Sequence, residues 1–359
     1  MSLVSTFCNR RRILLISCLS VLELNILLFK VPLSITSFVP VSVEEKHTVP
    51  PDQIVSGGPP PDGIPSIDSP KFASVEDGNK FLDDSDKILG ININGDIRAY
   101  PLQILVWHEI VNDNVGGIPV VVTYCPLCFT NQVFIRSLNN TVLEFGTSGK
   151  LYNSNLVMYD RSTNSLWSQA LGEGKYAGIK LNRIPFDVAY WKDWKQLYPN
   201  SKVLSRDTGS VRPYGADPYG DYYTSPDILF PISNKDNRLG LKELIIGLEN
   251  GRINKAYSLQ DVQKQKLIND HINNKSIVLF SLYPLMVRVF DPVLNGQTLI
   301  FIYNSKNITF MDKLTGSQWN IEGKSIQGPL KGKQLLRLPF DEGFWFEQAT
   351  FHPATKIYS

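Results

Sequence analysis

Short apolar segments alternate with glycine- and asparagine-containing turns over most of the chain. Segments rich in Val, Ile, Tyr and Phe that are bounded by Gly or Asn are typical of β-strands. The pattern predicts strands at residues 120–124, 132–136, 142–145, 156–159 and 165–169. Apolar residues recur with a helical period in residues 102–112, and two Trp residues three positions apart suggest a second helix in residues 188–197. We therefore expect a β-rich α+β fold.

The same pattern occurs twice along the chain. The segment Ile88-Leu89-Gly90-Ile91 recurs as Ile245-Ile246-Gly247-Leu248. Near the other end of each copy, Arg183-Ile184-Pro185-Phe186-Asp187 recurs as Arg337-Leu338-Pro339-Phe340-Asp341. Because self-similarity of this kind indicates repeated structural units, we predict two tandem copies of one domain.

Four regions are expected from this pattern. Residues 1–30 are predicted to be a membrane anchor or signal segment, and residues 31–70 a Pro/Gly-rich linker. The composition of the linker is poor in aromatic residues, so it is expected to be an extended spacer. Residues 71–240 are expected to hold the first repeat and a connector, and residues 241–359 the second repeat.

The N-terminal segment predicts the location of the protein. Arg10, Arg11 and Arg12 precede an apolar run at residues 13–29. Basic residues before an apolar segment orient it with the basic side in the cytoplasm. The folded part is therefore expected outside the cytoplasm, anchored through residues 13–29, or secreted if the segment is cleaved.

Composition excludes several classes of protein. The formal net charge of +2 gives no electrostatic reason to expect a nucleic-acid partner. A mean hydropathy of −0.11 argues against a multi-span transporter. The chain has only 4 Cys, two of them in the N-terminal segment, which excludes a scaffold held by many disulfides.

Differences between the copies separate candidate chemistry from what the fold requires. The second copy lacks four side chains that could bind metal or transfer protons. The replacements are Cys125 by Tyr283, Cys128 by Met286, His108 by Gln265 and Glu109 by Lys266. We infer that the first copy carries the site and that the second is a structural partner.

The Cys125-Pro126-Leu127-Cys128 motif is open to three interpretations. Two thiolates with His108 and one further ligand would suit zinc or copper. A dithiol could instead perform redox chemistry, although the following residues 129–136 resemble a strand and offer no helix N-terminus to activate a thiolate. The third interpretation is a structural disulfide in an oxidising compartment.

Two neighbouring features could contribute to the site. Glu109 is a candidate general base or orienting group. In a helix, adjacent residues point about 100° apart, so His108 and Glu109 cannot both face the site. The Tyr- and Gly-rich residues 207–223 between the copies could form a lid, but we expect them mainly to join the two copies.

Three long motifs carry a resemblance to a known family. They are residues 108–113 (HEIVND), 123–128 (TYCPLC) and 158–169 (MYDRSTNSLWSQ). These motifs closely resemble a family of exported prokaryotic proteins known only as a domain of unknown function. The resemblance implies no activity, but His108, Cys125 and Cys128 match the family pattern. Phe129 stands where such proteins more often have a small residue.

These observations favour a membrane-anchored extracytoplasmic protein with a Cys/His metal-binding or thiol redox site in its first repeat. The site would comprise Cys125, Cys128 and His108, with Glu109 as the candidate catalytic residue. The alternative is a noncatalytic surface binding or scaffold module in which the CxxC motif is a disulfide. The residues do not identify a small-molecule or protein partner.

Overall fold

The computed structural model of the protein describes residues 49–174 and 179–359. The predicted membrane segment, residues 1–30, and residues 31–48 of the predicted linker lie outside these ranges. Within them, none of the helices has the length and apolar character needed to cross a bilayer.

The N-terminal half of the described structure, residues 49–204, is built mainly from short strands. It begins with a 3₁₀ turn at Pro51–Gln53. Its strands and helices are β1 (Ile54–Ser56), β2 (Phe72–Ala73), α1 (Val75–Gly78), β3 (Lys87–Ile93), β4 (Asp96–Pro101), α2 (Leu102–Leu105), β5 (Ile110–Val115), β6 (Ile118–Cys125), β7 (Thr130–Ile135), β8 (Ser137–Leu138), β9 (Thr141–Val142), β10 (Phe145–Tyr152), β11 (Asn155–Asp160), β12 (Leu166–Ser168), β13 (Glu173–Gly174), β14 (Asp187–Tyr190), α3 (Trp191–Leu197) and β15 (Lys202–Leu204).

A connector, residues 205–243, leads to the C-terminal half, residues 244–359. The connector contains a 3₁₀ turn at Gly220–Tyr223. The elements of the C-terminal half are β16 (Leu244–Asn250), β17 (Ile253–Ser258), α4 (Leu259–Gln265), β18 (Leu267–Ile272), β19 (Lys275–Phe280), β20 (Arg288–Asp291), β21 (Val293–Leu294), β22 (Gln297–Thr298), β23 (Phe301–Asn304), β24 (Thr309–Asp312), β25 (Gln318–Trp319), β26 (Ser325–Gln327), β27 (Leu336–Leu338), β28 (Asp341–Phe344), α5 (Trp345–Phe351) and β29 (Lys356–Ile357). The predominance of strands confirms the β-rich α+β class.

Corresponding strands pair in the same way in the two halves. In the N-terminal half β14, β3, β4 and β15 are neighbours, with two antiparallel pairings followed by a parallel one. In the C-terminal half β28, β16, β17 and β29 follow the same order and directions. Duplication of one domain stays a prediction that is consistent with this pairing.

The halves share a sheet and a core. Strand β28 of the C-terminal half pairs with β7 of the N-terminal half through Glu342 and Asn131, which creates a seven-stranded sheet in the order β29-β17-β16-β28-β7-β6-β5. One hydrophobic cluster runs from Val122 and Tyr124 to Ile246 and Tyr257. The CxxC hairpin therefore lies where the two halves meet.

Two arginine–aspartate pairs link the halves reciprocally. Arg183 of the N-terminal half donates to Asp341 of the C-terminal half at 2.9 Å. Arg337, which occupies the matching sequence position in the C-terminal half, donates to Asp187 of the N-terminal half at 3.2 Å. Arg288 adds a second, fully buried partner for Asp187, with contacts of 3.0 and 2.8 Å. Burial would raise the pKa of Asp187, but the two arginines outweigh it and lower that pKa.

The predicted helix at residues 102–112 is wrong beyond its first turn. Helix α2 ends at Leu105, and Glu109 adopts a φ of 59°, which a right-handed helix cannot contain. Strand β5 then begins at Ile110 and pairs with β6. In the second predicted helix, residues 188–190 belong to β14 and α3 starts at Trp191.

The strand predictions agree with the structure except at one place. Residues 120–124, 132–136, 156–159 and 165–169 fall mainly on β6, β7, β11 and β12. Residues 142–145 instead cross the break between β9 and β10.

The predicted spacer also differs from the structure where it is described. Residues Ile54–Ser56 form β1, which pairs with β10 through Tyr152, Leu151 and Lys150. Ile67 is buried and bridges to Val111. Apolar residues between the prolines thus pack against strands of the N-terminal half. Residues 49–70 are therefore part of the folded domain and do not form the extended spacer that their composition predicts.

Candidate functional site

The two cysteines lie on a tight turn between central strands. Cys125 is the last residue of β6 and pairs with Thr130, the first residue of β7. Phe129 closes the turn with a φ of 54°, in the left-handed region that is uncommon for residues other than glycine. Cys125 and Cys128 are unbridged thiols, and they are 1% and 0% exposed. The turn therefore holds a buried dithiol.

The two thiols have unequal environments. Asn155 donates a hydrogen bond from Nδ2 to Sγ of Cys128 at 3.1 Å. Burial would raise the pKa of Cys128, but hydrogen bonds from Cys125, Thr130 and Asn155 outweigh burial and lower that pKa. Burial raises the pKa of the Cys125 thiol well above its usual value, and Cys128 and Glu109 raise it further. Cys128 is thus the thiol that ionises first.

A buried polar network holds Asn155 in position. Its Nδ2 also donates to Oε1 of Gln169 at 2.8 Å, and its Oδ1 accepts from the backbone N–H of Ala170 at 3.1 Å. Gln169 in turn donates from Nε2 to Oγ1 of Thr123 at 3.1 Å. These hydrogen bonds hold the side-chain amide of Asn155 with its N–H group directed at the sulfur of Cys128.

We expect that replacing Asn155 with leucine raises the pKa of Cys128. The substitution keeps a similar volume but removes the hydrogen bond that stabilises the thiolate. The measurement is thiolate absorbance as a function of pH, with the signal assigned by difference from a Cys128→Ser variant. The control is Asn269→Leu on β18, an exposed position in the other half. An unchanged ionisation midpoint in Asn155→Leu would contradict this role.

Glu109 is a buried carboxyl close to the dithiol. Its side chain is 8% exposed, and burial together with the charge of Cys128 raises its pKa to about 8. Lys266, its counterpart in the C-terminal half, also has a positive φ, of 64°. The left-handed backbone is therefore common to both halves, whereas the carboxyl is specific to the half with the cysteines. A group of this pKa can accept or release a proton near neutral pH.

The structure does not bring His108 into a metal centre with the thiols. Its Nδ1 lies 2.6 Å from the carbonyl oxygen of Pro65, and its Nε2 lies 2.6 Å from the hydroxyl of Tyr214. Burial lowers the pKa of His108. Across residues 49–174 and 179–359, no three His, Cys, Asp or Glu side chains cluster so that they could hold a metal ion. His108 instead ties the connector to the N-terminal half.

The connector covers the dithiol as well as joining the halves. Tyr222 donates from its hydroxyl to the carbonyl oxygen of Leu127, inside the CxxC turn, at 2.7 Å. The ring of Tyr223 meets that of Phe129 edge to face, with 6.0 Å between the ring centroids. The expectation that this segment mainly joins the copies therefore misses its contacts with the site.

The C-terminal half supplies backbone and one carboxyl to the same site. The N–H of Phe344 donates to the carbonyl oxygen of Cys128 at 2.8 Å. A Cβ at Gly343 would lie 2.8 Å from Oγ1 of Thr130, so the close approach of β28 requires glycine. Burial and the charge of Cys128 raise the pKa of Glu347 well above its usual value. The C-terminal half, expected to be a structural partner, thus also contacts the site directly.

The comparisons with known proteins place the chain in a family without assigning an activity. No curated protein and no solved structure matches it. A family model described as "Protein of unknown function (DUF3179)" matches residues 61–355, which include most of both halves and the whole connector. This match confirms the resemblance to a domain of unknown function, and the chain belongs to the DUF3179 family.

Proposed function

We propose that Cys125 and Cys128 form a thiol–disulfide redox centre. The observation that carries the proposal is the unequal pair of buried thiols, of which Cys128 is stabilised as a thiolate by Asn155. Thiolates, and not thiols, attack disulfides. Glu109, with its pKa raised to about 8, exchanges protons near neutral pH, so it can take the proton of Cys125 in the molecules in which it is ionised.

The reaction is an exchange between this dithiol and a disulfide substrate. The Cys128 thiolate attacks one sulfur of the substrate, forms a mixed disulfide and releases the first substrate thiolate. Cys125 then loses its proton, to Glu109 where that carboxyl is ionised and otherwise to the released substrate thiolate, and attacks the sulfur of Cys128. This step forms the Cys125–Cys128 disulfide and releases the second substrate thiolate. The substrate gains two electrons, and the dithiol loses two.

The geometry supports this chemistry more than it supports a zinc or copper centre. Both ring nitrogens of His108, the predicted third ligand, already have partners in Pro65 and Tyr214. The dithiol has instead a hydrogen-bond donor on one thiol and a carboxyl nearby, which are the groups that thiol exchange requires. We include bound metal among the outcomes of the test.

The location of the protein belongs to the same proposal. Arg10-Arg11-Arg12 followed by the apolar residues 13–29 supports a membrane anchor with the folded part outside the cytoplasm. Disulfides form and persist in such compartments, whereas cytosolic thiols are kept reduced. A thiol–disulfide centre would therefore find its substrates there.

The test is differential alkylation of the full chain after incubation with reduced or oxidised dithiothreitol. Peptide mapping separates Cys125 and Cys128 from Cys8 and Cys18. We expect a disulfide between Cys125 and Cys128 that forms and is reduced reversibly, and that disappears in Cys125→Ser and Cys128→Ser. A Cys8→Ser/Cys18→Ser variant serves as the matched control and should behave like the unaltered chain.

Two results would overturn the redox proposal. A Cys125–Cys128 disulfide that resists reduction in the folded protein would indicate a structural bond. About one equivalent of zinc or copper in the purified protein, lost in the Cys125→Ser/Cys128→Ser variant, would indicate a metal site.

A further inference from the structure

A cleft opens beside the CxxC turn, between the N-terminal half and the connector. Its volume is about 220 Å³. Ligand sites for drug-sized molecules span roughly 300–1,000 Å³, so this cleft suits a smaller molecule. Its walls come from the turn before β3, the first residues of α2, the connector at residues 215–217, and two aromatic residues, Phe129 and Tyr223.

Phe129 joins this cleft to the CxxC turn. The residue follows Cys128 in the chain, lines the cleft and is 5% exposed. Its ring contacts those of Tyr124, Tyr223 and Phe344 at centroid distances of 5.7, 6.0 and 5.7 Å. A molecule in the cleft would thus contact the residue that directly follows Cys128 in the chain.

The cleft presents charges of both signs. Lys87 places its Nζ 5.2 Å from the centroid of the Phe129 ring. Asp217 accepts a hydrogen bond from the hydroxyl of Tyr223 at 3.3 Å, and Asp86 accepts one from Nε2 of Gln103 at 2.8 Å. The ammonium group of a ligand can pair with one of these carboxylates while its carboxylate pairs with Lys87. A small zwitterion fits this arrangement better than an ion of one sign.

We infer that this cleft binds a small zwitterionic disulfide of the amino-acid type and that Phe129 is the gate between the cleft and Cys128. The inference rests on the proposed redox function and names the substrate class of that site. Exchange with such a molecule leaves the Cys125–Cys128 disulfide and two amino-acid thiols, so electrons and protons balance as in the general reaction.

The charge preference is tested with three small disulfides that differ in their charged groups. Cystine carries ammonium and carboxylate groups, cystamine only ammonium groups, and dithiodipropionate only carboxylates. We expect cystine to oxidise the dithiol of the full chain at least about tenfold faster than either of the others, which corresponds to about 1.4 kcal/mol. Lys87→Gln should remove most of this advantage, whereas Lys306→Gln, an exposed lysine in the C-terminal half, should not.

The gate is tested without any redox reaction, by the rate at which iodoacetamide labels Cys128. Phe129→Ala removes the ring, and Phe129→Leu keeps apolar bulk, while both retain a Cβ on the same left-handed backbone. We expect labelling to accelerate by about tenfold in the alanine variant and by less in the leucine variant. Phe72→Leu, on β2 against Tyr100, should leave the rate unchanged.

The two experiments separate the inference from the proposed function. Equal oxidation by the three disulfides, or a labelling rate that does not respond to Phe129, would overturn the inference even if the dithiol cycles. If Phe129→Ala accelerates labelling but none of the disulfides oxidises the dithiol, the role of Phe129 as a gate is supported. The same result would contradict both the redox function and the substrate class. Oxidation by a disulfide in a folded protein that outpaces oxidation by cystine would also overturn the substrate class.

Discussion

Replacement of Asp187 by asparagine is expected to lower the free energy of unfolding by about 3–5 kcal/mol. Asp187 is 2% exposed and accepts hydrogen bonds from Arg288, also 2% exposed, and from Arg337. Asparagine keeps the size of the side chain but removes its charge, so it leaves a buried guanidinium without a counter-ion. The measurement is equilibrium unfolding in urea, compared at equal protein concentration.

An exposed ion pair provides the control for Asp187. Asp207 pairs with Lys71 at 2.7 Å, and both side chains are 63% exposed. Asp207→Asn should therefore cost less than about 1 kcal/mol. A combined Asp187→Asn/Arg288→Gln variant should recover part of the stability that Asp187→Asn loses. A decrease in the free energy of unfolding below about 1 kcal/mol in Asp187→Asn would contradict this expectation. It would show that water or rearranged side chains stabilise the charge of the buried arginine.

Replacement of Glu109 by glutamine is expected to make the stability of the protein less sensitive to pH. The pKa of Glu109 is raised from 4.5 to about 8 in the folded chain. The contribution of Glu109 to the free energy of unfolding is therefore fully present below pH 4.5, where this residue is protonated in both the folded and the unfolded chain. It is lost as pH rises towards 8. Glutamine stays neutral throughout. When pH is raised from 5 to 7.5, the free energy of unfolding of the variant should increase by on the order of 3 kcal/mol relative to that of the unaltered chain.

The measurement for Glu109 is urea unfolding at several pH values, with the dithiol kept reduced. Glu76→Gln is the matched control because Glu76 is exposed on α1. Because water reaches the Glu76 side chain, the stability difference at pH 7.5 should be smaller in that variant than in Glu109→Gln. A Glu109→Gln variant whose advantage does not grow with pH would contradict a neutral, buried carboxyl at this position.

The strands could be predicted from the sequence more reliably than the helices. Runs of β-branched and aromatic residues between glycine or asparagine turns identified β6, β7, β11 and β12 because they reflect local preference and burial together. The apolar spacing in residues 102–112 also fitted a helix. It failed because pairing of Ile110–Val115 with β6 competes with helix formation, and periodicity does not reveal the left-handed backbone of Glu109.

The site could be predicted in part. The absence of Cys125, Cys128 and Glu109 from the corresponding positions of the C-terminal half identified residues that the structure brings together. His108 was lost with them, yet it holds the connector through Tyr214. A residue that is missing from the corresponding position of the C-terminal half can have either of two roles. It can contact the thiols, or, like His108, it can bind the connector that covers them.

The individual contacts of the thiols with other segments could not be predicted, because the partners are distant along the chain. Asn155 lies 27 residues from Cys128 and reaches it only when β11 packs behind the CxxC hairpin. Phe344 comes from the opposite half. A polar residue in a strand gives no sign in the sequence of which buried atom it will meet.

The reciprocal pairs between the halves have an evolutionary consequence. In a homodimer of one such half, symmetry would make the two interface clusters identical. In this chain Asp187 meets Arg288 and Arg337, whereas Asp341 meets Arg183 and the amide of Gln132. Fusion of two halves into one gene would permit this divergence, because each position can then mutate separately. It would let one half keep the two cysteines while the other half specialises in packing against them.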